Sequence, residues 1–293
     1  MSSLLDLLAA KFPTAKRTTL REMIANGRVF VDGELARTAK HPVTEHSSVK
    51  VSDTSRTGRR DDRAPKVKPL PFDIIHEDAD LLVIDKPAGL ITSSGPKDKR
   101  PTAIGYLRTY FAKVEPRAII GLVHRLDADA SGLLVFSKHD RSFEALKDQF
   151  AEKTAGRMYA AIVVGQPKPP VGRIESRLIE LADGRVQTTR STMKGEQAIT
   201  HYEVVESKAG FSLLEVTLET GRKHQIRVHL AEKGHPIVGD TDYSGDIDPR
   251  IAGRLMLAAR KLDLEHPRTH RRIEFELPKL PAEMRAWWDE LIK

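Results

Sequence analysis

The apolar pattern changes period along the chain. Near the start, Leu4, Leu5, Leu7, Leu8 and Phe12 recur at helical spacing, predicting a short helix ended by Pro13. Thr19 and Glu22 stand at capping-box spacing and predict a second helix carrying Leu20, Met23 and Ile24, stopping at Asn26-Gly27. The period then falls to two. Val29, Phe30 and Val31 alternate into an Asp32-Gly33 turn, and residues 49–51 close a small sheet. Residues 54–70, TSRTGRRDDRAPKVKPL, lack apolar periodicity and carry mixed charge with two prolines, the composition of a linker.

From Pro71 strands dominate. Residues 72–75 and 81–84 are strand candidates joined by the acidic turn 77–80. A helix over 139–153 carries Phe143, Leu146 and Phe150 on one side, and 157–165 reads as a strand. Residues 171–220 are strand-rich with turns expected at Gly172, Gly184, Gly195 and Gly210, and 211–220 alternates clearly. Trp287 and Trp288 pack a final helix. The fold class expected is α+β: a small N-terminal α+β module over 1–53, a basic linker over 54–70, and a domain over 71–293. That domain is built on a large mixed, mainly antiparallel sheet flanked by helices and loops.

Composition narrows the function. The 293 residues contain no cysteine, which excludes a disulfide framework, a thiolate nucleophile and Cys-ligated zinc. The first residues, MSSLLDLLAAKF, carry no basic region and no long apolar run, so neither a secretory signal nor a membrane span is expected, and a cytoplasmic location is the default. Net charge is +7, and its placement matters more than its size: residues 1–70 hold 14 Lys+Arg against 8 Asp+Glu, and the rest is nearly balanced. A basic segment confined to the first quarter points to a polyanion, most simply nucleic acid. Lys16, Arg17, Arg21 and Arg28 surround the second helix, where they can meet backbone phosphates without reading bases.

The chemistry centres on Gly121–Lys138, GLVHRLDADASGLLVFSK. A charged trio, His124, Arg125 and Asp127, sits at the mouth of a turn between two strand-like runs, and loops held by a rigid sheet are where reactive side chains sit. Locally, Asp127 has a second reading as a cap on its own turn. HRLDADASG resembles the H-R-L-D-x-x-T-S-G motif of the RluA family of pseudouridine synthases, with Ala130 in place of Thr. Three further stretches follow in family order. DLLVIDKPAGL resembles the first motif, where Pro87 and Gly89 fix a turn bracing the active-site loop and Lys86 carries no chemistry. RMYAAIVVG resembles K-x-Y-x-A-x-V-x-G, with Arg157 for Lys. TGRKHQIRVH resembles T-G-R-x-H-Q-I-R-x-H. RLMLAA departs from R-L-x-L-H-A, Ala258 standing where His is usual. The module over 1–53 resembles the S4-type RNA-binding domain through MIANGRVFVDG, with Asp32 for Asn.

The resemblance implies an RNA pseudouridine synthase. Asp127 is then the catalytic carboxylate, Arg227 its ion-pair partner, and Tyr159 the ring that stacks on the flipped uracil and assists proton removal. Arg125, with His124 beside it, extrudes the base and contacts RNA; Arg222, His224 and Gln225 complete the third motif. Read cold, Tyr159 in a β-run is a core aromatic. The substrate implied is structured RNA, ribosomal first and transfer RNA as the alternative, with a monomeric enzyme the default. The reaction breaks the C1′–N1 bond of uridine and rejoins the turned base through C5. It changes no oxidation state and loses no atom, so no cofactor is expected. A carboxylate at C1′ serves by attack or by removing the 2′ proton, and both remain open. A paired arginine keeps that carboxylate ionised. His224 and His229, five apart, lack the i, i+4 spacing of helical zinc pairs, so no metal is expected. If His224 and Arg227 share a helix, they lie one turn apart on the same side.

Rival chemistries fit less well. Asp127 and Asp129 as a glycosidase pair are only two residues apart, and the basic module then has no purpose. Ser131 lacks the leading glycine of a nucleophile elbow. A non-catalytic RNA-binding or ribosome-assembly factor would keep the module yet has no need of Asp127, Tyr159 and Arg227 together.

Overall fold

A computed structural model describes residues 3–13, 15–25, 28–36, 38–44, 47–51, 68–95, 98–245 and 248–291. The chain divides into two compact units, Met1–Lys66 and Val67–Lys293.

In the first unit, α1 (Leu4–Lys11) and α2 (Arg17–Ala25) pack on a three-stranded antiparallel sheet of β1 (Val29–Val31), β2 (Glu34–Leu35) and β3 (Val49–Val51), in the order β2-β1-β3. Leu4, Leu8, Leu20, Ile24, Val29 and Val31 form its core. Two helix boundaries differ from the sequence reading. The capping box belongs to α1, where Ser3 and Asp6 satisfy each other's backbone amides. Helix α2 starts two residues before Thr19, because seating Leu20 against the core makes its amide the donor of the first helical bond, to the Lys16 carbonyl. The expected stop at Asn26-Gly27 lies outside the described residues, as does most of the expected linker.

The second unit is built on one eleven-stranded sheet. Its strands are β4 (Asp73–Glu77), β5 (Leu81–Lys86), β6 (Gly121–Leu122), β7 (Ser131–Ser137), β8 (Gly156–Val164), β9 (Val171–Glu180), β10 (Val186–Thr189), β11 (Glu196–Lys208), β12 (Phe211–Leu218), β13 (Leu257–Glu265) and β14 (Arg272–Glu276). The main path runs β10-β9-β11-β12-β8-β13-β7-β5-β4, with β14 on β13 and β6 on β7. All pairings are antiparallel except β7 with β13, where Ser131 faces Ala258 and Gly132 faces Ala259. Gly132 has φ +108°, and a Cβ there would stand 2.1 Å from the Ala259 carbonyl oxygen, so only glycine lets the two strands meet.

Strand β7 is buried along its whole length, which explains its unbroken apolar run LLVF. One face of the sheet packs on α3 (Ala103–Val114) and α6 (Ala282–Glu290) through Leu107, Phe111, Met284 and Trp288. The other face packs on α4 (Asp140–Ala151) through Leu146 and Phe150. A short helix, α5 (Gln225–Glu232), follows β12 and sets Val228 against Leu178, Val186 and Ala198. Gly172 is not at a turn. It lies inside β9 beneath the Tyr202 ring, and a Cβ would come within 2.5 Å of that ring. Gly184, Gly195 and Gly210 do turn the chain, each with positive φ.

Candidate active site

Asp127 sits on the loop between β6 and β7, and its neighbours on both sides are pinned. Thr92 Oγ1 donates to the Leu126 carbonyl at 2.8 Å and accepts from the Leu126 amide at 3.2 Å. One residue past Asp127, the Ala128 carbonyl accepts from the Gly89 amide at 2.9 Å and from Lys86 Nζ at 2.9 Å. Lys86 is fully buried and gives its other two protons to the Pro87 and Leu90 carbonyls. Burial pushes the Lys86 ammonium down to about 8, opposed by Asp129 and Asp127. The KPAGL turn therefore grips the loop, and Lys86 is the residue that does so.

Arg227 reaches the site from α5 and is 3% exposed. Its Nη1 stands 3.6 Å from Asp127 Oδ2, an ion pair but not a hydrogen bond. Its closer partners come from the turn after Gly239. Nε and Nη2 donate to Asp240 Oδ2 and Oδ1 at 2.8 and 2.7 Å, and Nη2 also donates to Asp242 Oδ2 at 2.6 Å. Burial alone would lower the Arg227 pKa, but Asp240 first and Asp127 next raise it. His224 does not share a helical side with Arg227. It precedes α5 as its N-cap in the left-handed region, φ 52°. The two residues meet instead on Tyr243: His224 Nδ1 lies 2.8 Å from its hydroxyl, and the guanidinium lies 5.1 Å from its ring centroid.

Tyr159, on β8, is 7% exposed and lines the same cleft as Asp127 and Arg227, a cavity of about 520 Å³. Burial, and then the Asp127 charge, push its phenol above 10, with Arg157 opposing. Arg125 is exposed on the rim. Lys147, Lys153, Arg157 and Lys223 also line the cleft, so a carboxylate lies at the base of a basic mouth. Such an arrangement suits an anionic ligand, with a carboxylate and a tyrosine at hand below it.

The family model described as RNA pseudouridylate synthase matches residues 80–232, more than half the chain. The chain belongs to the RluA-type RNA pseudouridine synthases. It is 33% identical over 280 residues to a Bacillus subtilis protein named Uncharacterized RNA pseudouridine synthase YlyB, spanning 94% of this chain and 90% of that one. It is 32% identical over 312 residues to Ribosomal large subunit pseudouridine synthase D of Pseudomonas aeruginosa, spanning 99% and 92%. Among solved structures it resembles Human RNA Pseudouridylate Synthase Domain Containing 4, with TM-score 0.63 and 26% identity, covering 75% of this chain and 92% of that one.

In this synthase the remaining motif residues support the cleft more than they face its contents. His124 stacks on Phe150 at 4.3 Å, and its Nε2 accepts from the Val135 amide. Burial, reinforced by Arg157, holds its imidazole down to about 3, so the half-buried ring that lines the cleft is neutral and braced between Phe150 and β7. Gln225 is buried and ties the Thr220 hydroxyl and the Arg222 amide to the Ile199 carbonyl. Arg222 turns away to Glu196 and the Gln197 carbonyl. In the N-terminal unit, Lys16, Arg17 and Arg21 are exposed along α2, Arg17 pairs with Asp6 at 3.0 Å, and Arg28 is half-buried.

His224 and His229 do not converge. His229 is buried between the hydroxyls of Thr200 and Ser176. Among the described residues one group, Asp78, Asp80 and His266, brings three metal-capable atoms within 4.8 Å. Its chemistry opposes a cation. His266 Nδ1 accepts the Arg268 and Thr269 amides, so Nε2 carries the proton given to Asp78, and Arg268 covers Asp80. Sequence reasoning missed Lys86, Asp240, Asp242 and Tyr243.

Proposed function

We propose that this synthase converts uridine to pseudouridine in ribosomal RNA, using Asp127 as its catalytic carboxylate. The observation that carries the reading is the convergence of Asp127, Arg227 and Tyr159 in one cleft with a basic mouth. Asp127 meets C1′ of a uridine turned out of its stack, at an unstacking cost of a few kcal/mol. The exposed guanidinium of Arg125 fills the vacated space, since its plane stacks as a base does. Tyr159 offers a ring face to the flipped uracil. A phenol pushed above 10 keeps its proton at neutral pH, which suits the hydroxyl to relaying the C5 proton and not to removing it as a phenolate.

The ribosomal substrate is supported by relatives named Ribosomal large subunit pseudouridine synthase D, 30 to 34% identical over 95% or more of this chain. Read as an S4-type domain over residues 1–53, the first unit binds RNA backbone through Lys16, Arg17, Arg21 and Arg28, beside a catalytic domain that spans residues 71–293 of the sequence, and the enzyme works as a cytoplasmic monomer. No helix among the described residues is long and apolar enough to cross a membrane. The deciding experiment maps pseudouridine across all RNA of cells lacking the gene, complemented with wild type or Asp127→Ala. Ribosomal sites restored by wild type alone are the expected result. Restoration by Asp127→Ala would sink the assignment of the carboxylate, and restoration confined to transfer RNA would sink that of the substrate.

A further inference from the structure

We propose that Asp240 is a positioning residue for the isomerisation, holding Arg227 edge-on so that a single guanidinium nitrogen faces Asp127. The inference rests on the roles just given to Asp127 and Arg227. Left to themselves, an arginine and a carboxylate pair through two parallel hydrogen bonds. That clamp would occupy both Asp127 oxygens and blunt the group as nucleophile or base.

The geometry prevents it. The Nε–Nη2 edge of Arg227 is already bound by both oxygens of Asp240, which is fully buried. Only Nη1 is left toward Asp127, at 3.6 Å, beyond hydrogen-bond length. Arg227 thus lends positive potential to the site without capping the reactive oxygens. Its one charge also faces three carboxylates, Asp127, Asp240 and Asp242, so Asp127 is not neutralised by it.

Asp240 is itself built into place. Gly239 has φ +79°, and a Cβ there would stand 1.8 Å from the Arg254 carbonyl oxygen, so the turn admits only glycine ahead of the aspartate. Asp240 Oδ1 also accepts from the amides of Asp242 and Tyr243 at 2.9 and 3.1 Å. One buried carboxylate therefore binds the guanidinium itself and fixes the backbone of two further residues that meet it, Asp242 through its carboxylate and Tyr243 through its ring. The Val238 amide just before the turn donates to Ile162 of β8, the strand that carries Tyr159.

The alternative is that Asp240 only anchors α5 to the turn, and a double-mutant cycle on the full-length protein separates the two. The substrate is total RNA from cells lacking the gene, tritiated at C5 of uridine. Tritium release gives the single-turnover rate, filter retention the affinity, and all variants are compared below their lowest unfolding midpoint. Asp240→Asn is expected to slow release at least about 50-fold, as loss of near-attack geometry does, with affinity within about threefold of wild type. In the Arg227→Gln background the same change is expected to add less than about threefold, because Asp240 acts through the guanidinium. A rate for Asp240→Asn within about threefold of wild type overturns the proposal, as does a double variant slowed by the product of the single effects. Should Asp240→Asn fail to fold, Asp242→Asn, which removes the other carboxylate bound to Arg227 Nη2, reads the same coupling. A slowing that vanishes in the Arg227→Gln background supports the proposal, and a wild-type rate overturns it. Asp127→Asn is the control on the underlying reading: an active Asp127→Asn defeats that reading, whereas an inactive one beside a fully active Asp240→Asn defeats this inference alone.

Discussion

The backbone that presents Asp127 is hydrogen-bonded on both sides of the residue. Leu126 is tied to Thr92 and Ala128 to Lys86 and Gly89, so the side chain is presented by a clamped backbone. Asp127→Ala is expected to abolish isomerisation while RNA affinity stays within about threefold, since phosphate contacts and not this anion hold the RNA. Tritium release and filter retention check the two halves separately. At Tyr159 the ring and the hydroxyl can be told apart. Tyr159→Leu is expected to cost about 1–3 kcal/mol of transition-state stabilisation through lost stacking, and Tyr159→Phe reports what the hydroxyl adds. Two residues that depart from the family motifs prove to be neighbours. Ala130 precedes Ser131, which faces Ala258 across the parallel β7–β13 pairing, and both alanines are buried. Ala258 is fully buried, so Ala258→His is expected to destabilise by about 1–3 kcal/mol through overpacking, read by urea unfolding.

At the scale of elements, what was legible followed from local pattern, and what was not depended on distant partners. Strands β1, β3, β5, β7 and β12 carry their signal in alternation or in unbroken apolar runs, and all were readable within about two residues. The α3 helix had a signal that went unread: Thr102 caps it and Ile104, Leu107 and Phe111 line one side. Gly172 was misread because a glycine covered by an aromatic ring in a strand looks the same in sequence as one at a turn. The active-site motifs named Asp127, Tyr159 and Arg227. They did not reveal that Asp240, thirteen residues past Arg227, holds the arginine, since a single aspartate carries no periodicity. Nor did they reveal that a lysine taken as inert grips the loop. Lys86→Met is expected to destabilise by about 2–5 kcal/mol, because the Pro87 and Leu90 carbonyls lose their buried donor, and to slow the reaction by loosening Asp127. Urea unfolding beside tritium release checks both.

For the whole molecule, the excess charge of residues 1–70 leads to a salt prediction. Deleting residues 1–53 is expected to weaken RNA binding and flatten the dependence of log Kd on log salt; an unchanged slope would show that this unit is not the phosphate contact. Stability should also fall in acid. Burial holds the His229 imidazole down to about 4 and His124 to about 3, whereas an unfolded histidine titrates near 6.5. The unfolded chain then binds more protons across that window. The contribution is complete above about pH 6.5 and is lost as pH falls toward the folded values, at about 1.4 kcal/mol per unit for each ring. Urea unfolding at pH 7, 6 and 5 should show this slope, reduced in His229→Gln.

The pairing of β7 with β13 also has a consequence for synthesis. The strand that follows Asp127 can pair early with β5 and β6, but its parallel partner is complete only when residues 258 and 259 have been made. At roughly 5–20 residues per second, that is about 6 to 25 seconds after Gly132 leaves the peptidyl-transferase centre. Throughout that interval the nascent chain has its carboxylate and the residues that clamp its loop, but not the β13 side of the sheet nor, for most of it, the arginine that faces it. On the reading proposed above, a chain released early therefore lacks the groups that would modify RNA, and modification waits for a protein whose sheet has closed.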